Sequence, residues 1–387
     1  MRAGCLVAAL ALAGCATAEA PSPVELTVLG PPVDARVTAM PMHYEVPVLA
    51  EGEQSGGRIE QGWAYLGRED RAAKVQGSDE YLAAPCPLSE NAEIGMDAAL
   101  DAIAQSAADS RVVIVNESHH VTRHRDFSRR VLERLRPLGY TVFAAETFNN
   151  THDGPDPVDD HAGLAYPHMT DGWYSAEPVF GRLVRSAREA GYRLAAYEHV
   201  GSHDGVREED WKARVAAREQ AQADNLGAIL ASMRPDEKLL VHVGYSHADE
   251  REIEDEYSSI WMAARLRRLT GIDPLTIGQT ICRGGGEETR LLRMPSDGSA
   301  PFDFAIDHPV ESFRYGRTSW RFDGGYAVPL PLALRPDDEP LVIEAFRAGE
   351  PFDAVPEDRV YVESGENIRL ALPAGRYTVR AVRLTEN

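Results

Sequence analysis

Apolar residues along this chain recur with two different periods, and the change between them divides the sequence into parts. Between residues 96 and 283, compact apolar runs alternate with segments in which apolar side chains recur every three or four positions. The runs predict buried strands, and the segments between them predict amphipathic helices. Strands are predicted at 111–115, 141–145, 193–197, 238–243 and 275–280, with helices between them that include 207–233 and 253–264. This alternation is typical of the α/β class, with a mainly parallel sheet and interleaved helices.

The regions on either side of this block have a different pattern. Residues 15–95 carry turn signals between short alternating stretches, which predicts a tether and a β-rich lead-in. Residues 300–387 contain short strand-like stretches punctuated by Pro and Gly, which predicts a small all-β, sandwich-like C-terminal domain. Its strands are predicted at 320–322, 326–330, 341–345, 360–363, 368–372 and 377–384. The α/β domain is therefore expected at 96–283 and the β domain at 300–387.

The first fourteen residues have the features of an export signal. A short basic start is followed by an apolar run that ends in Leu-Ala-Gly before Cys15. The run is much shorter than the roughly 20 residues that cross a bilayer, so a membrane-spanning helix is not predicted. The stretch resembles the lipobox of bacterial lipoproteins, which implies cleavage before Cys15 and acylation of that cysteine. Because Ala16 rather than Asp follows, the resemblance implies anchoring in the outer membrane, facing the periplasm; an ordinary signal cleaved elsewhere is the alternative.

The net charge of the chain limits which partners it can bind. The chain carries 61 acidic and 40 basic side chains, a formal net charge of -21, and such a surface repels nucleic acid. A small-molecule or peptide substrate is the expected partner, besides the membrane that the lipid anchor would reach.

Of the four cysteines, Cys86 and Cys282 remain once the signal and the lipidated residue are set aside. An oxidising periplasm allows a disulfide between them, and two separate thiols are the alternative.

Glu and His side chains follow four successive predicted strands. The carboxyl ends of parallel strands form the ligand crevice of α/β sheets, so these side chains are expected to converge. The residues concerned are Glu117, His119 and His120 after the first strand, Glu146 after the second, Glu198 and His199 after the third, and His247 after the fourth. Any one of them could be a solvated loop residue. Four in a row predict a functional crevice that holds either an acid–base pair or a metal ion.

The helix predicted at 207–233 places an arginine on the face that should contact the sheet. At 100° per residue, a cation and two amides share one stripe. The residues of this stripe are Trp211, Arg218, Gln222, Asn225 and Ile229. Because an unpaired buried arginine is costly, Glu117 or Glu146 is its expected counter-ion.

These residues also carry a resemblance to the superfamily of ChaN-type haem-binding lipoproteins, Tiki metalloproteases and erythromycin esterases. Residues 116–119 are similar to the G-E-x-H motif of the first strand, and 117–120 also fit G-E-x-x-H. Residues 145–148 resemble E-M-F, Arg218 and Glu219 with Asn225 resemble the helix motif, and 244–247 resemble G-x-x-H. Asn116 stands where the family usually has Gly. The resemblance covers 96–283 and leaves the chemistry open, because its members include carriers, peptidases and esterases.

A hydrolase is the first functional hypothesis, and it has two versions. In the metal version, His119 or His120, Glu146 and His247 hold a divalent ion, and Glu117 takes a proton from the bound water. In the metal-free version, one imidazole oriented by Glu117 activates water directly, and Arg218 stabilises the oxyanion.

Two further hypotheses remain. A haem or iron carrier would use His119, His247, Tyr174 or Tyr245 as axial ligands in an apolar slot. A serine hydrolase would use Ser246, because residues 244–248 are close to the G-x-S-x-G elbow, with His308 as the downstream histidine. This is the lesser alternative, because the chain order Ser, Asp, His would leave His308 as the only downstream histidine apart from His247 itself.

Overall fold

The computed structural model describes residues 23–48, 57–75, 84–87, 89–150, 157–200, 210–253 and 260–384. The proposed signal at 1–14 and the proposed lipidation site at Cys15 lie outside these residues. Within the described ranges, every helix is too short or too polar to cross a bilayer.

The described residues form seven α-helices and seventeen strands. The helices are α1 (Arg58–Tyr65), α2 (Glu69–Ala72), α3 (Met96–Ala107), α4 (Thr122–Leu135), α5 (Pro178–Glu189), α6 (Trp211–Ser232) and α7 (Met262–Thr270). The strands are β1 (Val24–Val28), β2 (Val33–Asp34), β3 (Glu93–Ile94), β4 (Val112–Glu117), β5 (Tyr140–Ala145), β6 (Arg193–Ala196), β7 (Lys238–Gly244), β8 (Leu275–Gly278), β9 (Arg290–Arg293), β10 (Phe304–Asp307), β11 (Phe313–Arg314), β12 (Arg317–Thr318), β13 (Tyr326–Pro329), β14 (Leu341–Arg347), β15 (Asp358–Val362), β16 (Arg369–Leu372) and β17 (Gly375–Arg383).

An eight-stranded sheet with the order β3-β9-β10-β8-β4-β7-β5-β6 forms the centre of the fold. The six strands from β10 to β6 pair in parallel, whereas β9 pairs antiparallel with both β10 and β3. The α/β class is confirmed, but the sheet is mixed, which corrects the expectation of a mainly parallel sheet. The antiparallel edge was missed because β9 and β10 follow the Gly-rich segment 284–286, where the helical pattern ends.

Helices cover both faces of this sheet because its central strands are apolar on both sides. Val113 and Val115 of β4 pack with α3, α4 and α5, while Val112 and Ile114 of the same strand pack with α6 and α7. This alternation fixes which side of the sheet each helix occupies. It therefore brings the start of α4 and the middle of α6 to the carboxyl end of β4 from opposite faces.

A second sheet joins the two ends of the described chain. Its order is β1-β17-β14-β15, with β2 also pairing with β17. The lead-in strands β1 and β2 run parallel to β17, so the strands after residue 300 are completed by residues near the N-terminus. A two-stranded ribbon of β13 and β16 contributes Val328, Leu370 and Leu372 to the core of this sheet.

Some predicted elements differ from the structure. Residues 320–322 lie in a 3-10 helix, Ser319–Phe322, rather than in a strand. The helix predicted at 253–264 begins only at Met262, and residues 254–259 lie outside the described ranges.

Cys86 and Cys282 form a disulfide across a sequence separation of 196 residues, with their Cα atoms 5.2 Å apart. This bond ties the lead-in to the segment that follows β8.

Candidate functional site

The carboxyl ends of three neighbouring parallel strands supply the side chains of one crevice. Glu117 is the last residue of β4, Glu146 follows β5 directly, and His247 lies in the 3-10 turn Tyr245–Ala248 after β7. The strand β7 lies between β4 and β5, so the three ends are adjacent. Helix α6 adds Arg218 from the face opposite α4.

Glu117 is fully buried and holds the imidazole of His119. His119 Nδ1 lies 2.9 Å from Glu117 Oε1, and Arg125 donates to both carboxylate oxygens at 2.9 Å. Burial would raise the pKa of Glu117, but Arg125, His242 and His119 outweigh it and lower that pKa well below its usual range. Glu117 is therefore a fixed negative charge that orients His119 with its Nε2 atom facing away from the carboxylate.

Arg125 was not identified from the sequence. It lies on the buried face of α4, where it also donates to Glu177 at 3.1 Å. The amphipathic pattern of α4 could have identified Arg125, because this residue is buried on the same helix as Phe127 and Val131. A cation on an apolar face needs a carboxylate partner, and Glu117 lies eight residues before Arg125 in the chain.

The two adjacent histidines have different surroundings. The ring of His119 stacks on Tyr174 with 4.0 Å between centroids and meets Tyr245 edge-on at 4.9 Å. His120 is buried, its Nδ1 lies 3.2 Å from Ser118 Oγ, and burial lowers its pKa to about 4. His120 lines a separate cavity that contains none of the crevice side chains. His119 is therefore the imidazole of the crevice, and the expectation that His120 could act there is not met.

Arg218 is held by two carboxylates on the other side of the crevice. Its Nη2 lies 2.5 Å from Glu146 Oε1 and also pairs with Glu198, while its Nε donates to Glu198 at 3.0 Å. Glu146 is thus the counter-ion expected from the sequence, with Glu198 in addition, whereas Glu117 pairs with Arg125. Gln222 from the same stripe of α6 donates to Glu198 at 3.0 Å.

Glu146 is ionised in this setting. Burial would raise its pKa, but His247, His119 and Arg218 lower it to about 2. Its second oxygen accepts a hydrogen bond from the backbone N–H of Gly244 at 2.7 Å. A carboxyl group that stays charged at neutral pH cannot serve as a proton donor, so Glu146 acts through its charge.

His247 also has a carboxylate next to its Nδ1 atom, but this contact is an ion pair without the hydrogen-bond geometry of the His119–Glu117 pair. Its Nδ1 lies 2.7 Å from Glu219 Oε1, and Glu219 is fully buried and accepts from the N–H of Met262 at 2.8 Å. Its Nε2 lies 3.2 Å from Arg218 Nη1 and 3.7 Å from Glu146 Oε1. Burial opposes the charged ring, but Glu219 and Glu146 outweigh burial and Arg218, so the pKa of His247 is raised.

Gly244 allows His119 to approach the end of β7. A Cβ atom at this position would lie 2.5 Å from His119 Cε1, 2.6 Å from His119 Nε2 and 3.1 Å from Glu146 Oε2. These distances are too short for a real contact, so the imidazole occupies the space that any larger residue would fill. The imidazole of His119 thus reaches the neighbourhood of the Glu146 carboxylate.

The side chains predicted as metal ligands do not fit an ion. Within the described ranges, no group of three or more His, Cys, Asp or Glu side chains could hold one. Of the expected ligands His119, Glu146 and His247, the last two both contact the guanidinium of Arg218, which stands where a cation would need to be. These side chains therefore form a cluster of ion pairs rather than a set of metal ligands.

The haem and serine hypotheses also lack support in the geometry. A haem needs an apolar slot, whereas this crevice carries Glu146, Glu198 and Arg218, and both Tyr174 and Tyr245 pack against the ring of His119. Ser246 is exposed, and no histidine of the described residues hydrogen-bonds to its hydroxyl. His308 Nε2 instead lies 2.9 Å from Gln279 Oε1.

Comparisons with known proteins give low similarity. No family model and no curated protein matches this chain. The type III effector HopBA1 aligns over 58% of this chain and 99% of its own at 13% identity, with a TM-score of 0.36. The RRSP effector domain of a MARTX toxin from Vibrio vulnificus aligns over 66% of this chain and 46% of its own at 14% identity, with a TM-score of 0.35. At these TM-scores the alignments carry no functional argument.

Proposed function

We propose that this chain is a hydrolase of ester or peptide bonds that uses two histidines without a metal ion. We further propose that it is a lipoprotein of the ChaN, Tiki and erythromycin-esterase superfamily, anchored through Cys15 in the outer membrane and facing the periplasm. The export signal, the lipobox-like sequence and the four strand-end motifs support this assignment.

One observation carries the proposed chemistry. Each of two imidazoles places its Nδ1 against its own buried carboxylate, Glu117 for His119 and Glu219 for His247. A carboxylate on Nδ1 fixes the orientation of a histidine and stabilises the imidazolium that forms during proton transfer. Both rings then face the neighbourhood of Glu146, so the two Nε2 atoms can serve one substrate from two sides.

The charges assign different tasks to the two rings. His119 Nε2 accepts a proton from water, and the hydroxide oxygen adds to the carbonyl carbon of the substrate. His247, whose pKa the neighbouring carboxylates raise, donates a proton from Nε2 to the departing oxygen or nitrogen as the bond to the carbonyl carbon breaks, after the leaving group has displaced the Arg218 Nη1 that faces this atom. The products are a carboxylic acid and an alcohol or amine, and a proton passes from His119 back to His247 through solvent.

Arg218 and Tyr174 take supporting roles in this scheme. Because Glu146 and Glu198 both neutralise Arg218, we assign it to positioning these carboxylates and His247 rather than to the oxyanion. Burial raises the pKa of Tyr174 well above its usual value, so its hydroxyl stays protonated. A protonated hydroxyl beside His119 is a suitable hydrogen-bond donor for the developing oxyanion.

The test is a hydrolysis screen on the exported protein, with Cys15→Ser to prevent acylation. The screen covers aryl esters, lactones and a peptide library, with and without prior dialysis against EDTA. We expect His119→Asn and His247→Asn each to lower kcat by about 10²- to 10⁴-fold, because each removes a proton-transfer group. His120→Asn should keep kcat within a few-fold, since His120 lies outside the crevice.

Several results would contradict this mechanism. Loss of turnover after EDTA, restored by zinc, would require a metal-assisted reaction instead. Equal losses in the His119 and His120 variants, with unchanged circular dichroism, would show that the crevice is not the site of proton transfer. The anchor is tested separately: labelled palmitate should enter the wild-type protein and not the Cys15→Ser variant.

A further inference from the structure

A second cavity adjoins the crevice through Trp173, the residue before Tyr174. Its volume is about 310 Å³, and it lies between the 3-10 helix Pro41–Tyr44, helix α1 and Trp173. We call it the lead-in cavity, because all of its lining residues except Trp173 belong to the lead-in. Ligand pockets in proteins begin at roughly 300 Å³, so this cavity is large enough for one ring or one branched chain.

Large apolar side chains are exposed around the lead-in cavity. Met42 is 45% exposed, Val48 67% and Trp173 47%, and all three line it. They come from distant parts of the chain, and the buried ring of Tyr65 forms part of the inner wall. Soluble proteins rarely expose clustered apolar side chains without a role, and such a cluster at a cavity is typical of a ligand groove.

The lead-in cavity is connected to the histidine that activates water. The hydroxyl of Tyr65 donates to the carbonyl oxygen of Trp173 at 2.8 Å, and the next residue, Tyr174, stacks on His119 with 4.0 Å between ring centroids. Consecutive Cα atoms are about 3.8 Å apart, so the half-exposed ring of Trp173 starts one residue away from the ring that contacts His119. A substituent that leaves the crevice over Tyr174 therefore meets Trp173 next.

The lead-in also meets the crevice at the start of α1. A Cβ atom at Gly57 would lie 3.9 Å from the hydroxyl oxygen of Tyr245, and the ring of Tyr245 meets His119 edge-on. Both aromatic neighbours of His119, Tyr174 and Tyr245, thus adjoin the segments that line the cavity. The lead-in therefore borders the crevice on the side of His119.

The two histidines decide which part of a substrate faces this border. In the proposed reaction the departing group must reach His247, whose contacts are with Glu219 and Arg218 of α6 and with Trp261. The developing oxyanion turns to the hydroxyl of Tyr174. The remaining substituent of the carbonyl carbon is the acyl group, so this group points away from α6 and towards the lead-in.

The charged residues of the lining favour neither sign of charge. Glu45 and Arg58 both line the cavity and are both exposed. Burial lowers the pKa of His43 to about 3, so this ring is neutral at pH 7. Affinity must therefore come from apolar contact, and the indole ring of Trp173 offers a surface on which an aromatic group can stack.

We propose that the lead-in cavity receives the acyl group of the substrate and that Trp173 sets the specificity of the hydrolase for an apolar or aromatic acyl group. This inference rests on the proposed hydrolysis and adds a substrate class to it. The class consists of esters or peptides with a phenyl ring or a branched aliphatic chain on the acyl side of the scissile bond. The ring lies against Trp173, and Met42 and Val48 cover it from the solvent side.

Three p-nitrophenyl esters with the same leaving group test this specificity on the exported Cys15→Ser protein. They are the acetate, the butyrate and the 3-phenylpropanoate. We expect kcat/KM for the phenylpropanoate to exceed that for the acetate at least about tenfold, because one methylene in an apolar pocket can already change the rate by about tenfold. Trp173→Ala should reduce this ratio at least about fivefold and should keep kcat/KM for the acetate within a few-fold.

Three further variants locate the effect. Trp173→Phe keeps an aromatic ring and should restore most of the preference. Met42→Trp fills the mouth of the cavity and should lower kcat/KM for the phenylpropanoate towards that for the acetate. Tyr326→Ala is the matched control, because it removes an aromatic side chain of similar exposure from β13, outside the cavity, and it should leave the ratio unchanged.

Binding of 4-phenyl-2-butanone separates this inference from the proposed chemistry. The ketone carries the same phenylethyl group on a carbonyl that cannot be hydrolysed. Saturation-transfer NMR should show millimolar or tighter binding to the wild type, weakened at least about fivefold in Trp173→Ala. The same binding result without turnover of any ester would contradict the hydrolase and would still support the cavity as the site for the phenylethyl group.

Other results would overturn the proposal, provided that circular dichroism shows folded variants. One is a ratio of the esters that Trp173→Ala leaves unchanged, and another is equal binding of the ketone by wild type and variant. A uniform loss with all three esters would show that Trp173 only positions Tyr174. Weaker self-association of Trp173→Ala in sedimentation, with an unchanged ratio, would assign the exposed side chains to a contact between copies of the chain instead.

Discussion

Two carboxylates decide what the crevice histidines can do. Glu117 and Glu219 are each fully buried, and each is held by a further donor, Arg125 for Glu117 and the N–H of Met262 for Glu219. A buried carboxylate that cannot move keeps its imidazole in one orientation, which is the geometry that general acid–base catalysis needs. Both crevice histidines are thus held by a buried carboxylate, and they differ in the other charged groups that surround each ring.

Glu219→Gln tests the task assigned to His247. The carboxylate raises the pKa of His247 against the opposing effect of burial, so its removal should lower that pKa. A general acid must be protonated, and activity is lost as pH rises through its pKa. The basic limb of the kcat profile should therefore move to lower pH, while the acidic limb stays in place.

A pH profile measured on both proteins checks this prediction. Glu252→Gln serves as the control, because Glu252 is an exposed partner of Arg268 outside the crevice. A basic limb that stays at the same pH in Glu219→Gln would exclude His247 as the general acid. A uniform decrease in kcat with an unchanged profile would indicate that Glu219 only supports the fold.

The end of β7 shapes the crevice through its backbone. Gly244 has an extended conformation, with φ of -82° and ψ of 147°, which any residue can adopt. The next residue, Tyr245, has a positive φ of 43°, and its hydroxyl lies 3.4 Å from the backbone nitrogen of His119. The glycine at 244 is therefore required for space and not for conformation.

Gly244→Ala should displace the imidazole of His119 without changing the backbone. The added methyl would lie 2.6 Å from Nε2, so the ring must turn away. A displacement of about 1 Å at a reacting group can cost roughly 10²-fold in rate, and we expect a loss of that order in kcat. Gly163→Ala, with open space around the Cβ position, is the matched control and should keep full activity. Normal kcat in Gly244→Ala would show that His119 does not need this position.

A buried chain of ion pairs connects distant parts of the sequence behind the crevice. Arg125 contacts Glu177 at 3.1 Å, Arg321 contacts Glu177 at 3.3 Å, and Arg321 also pairs with Glu69. These residues belong to the lead-in, to the α/β segment and to the region after residue 300. Because breaking a buried pair leaves an uncompensated charge, the lead-in and the C-terminal strands support the same core that holds Glu117.

The disulfide should contribute strongly to the stability of the protein. It closes a loop across 196 residues, and loss of a native disulfide costs about 2–5 kcal/mol, mainly through the entropy of the unfolded chain. We expect the double substitution Cys86→Ala with Cys282→Ala to lower the melting temperature by several degrees and to leave kcat near wild type. The single variants should be as destabilised as the double one. Equal melting temperatures for wild type and double variant would show that the bond does not form in solution.

Much of the crevice was predictable from the sequence because strand ends are local features. Apolar runs identified β4, β5, β6, β7 and β8, and the polar residues that follow them were expected at one edge on general grounds. The structure brings Glu117, His119, Glu146, Arg218 and His247 to that edge. Periodicity and sequence neighbourhood carry this information without knowledge of how the chain folds back on itself.

Other features needed the tertiary structure because they depend on distant segments. Nothing local distinguishes His119 from His120, since only the turn after β4 sends one ring to Glu117 and the other into the separate cavity between α2 and the start of α4. The pairing of Arg125 rather than Arg218 with Glu117 depends on which faces of the sheet α4 and α6 cover. The joining of β1 and β2 to β17 likewise links residues more than 340 positions apart in the chain. Local sequence patterns specify elements, whereas the partners of buried charges and edge strands are decided by the free energy of the whole packed structure.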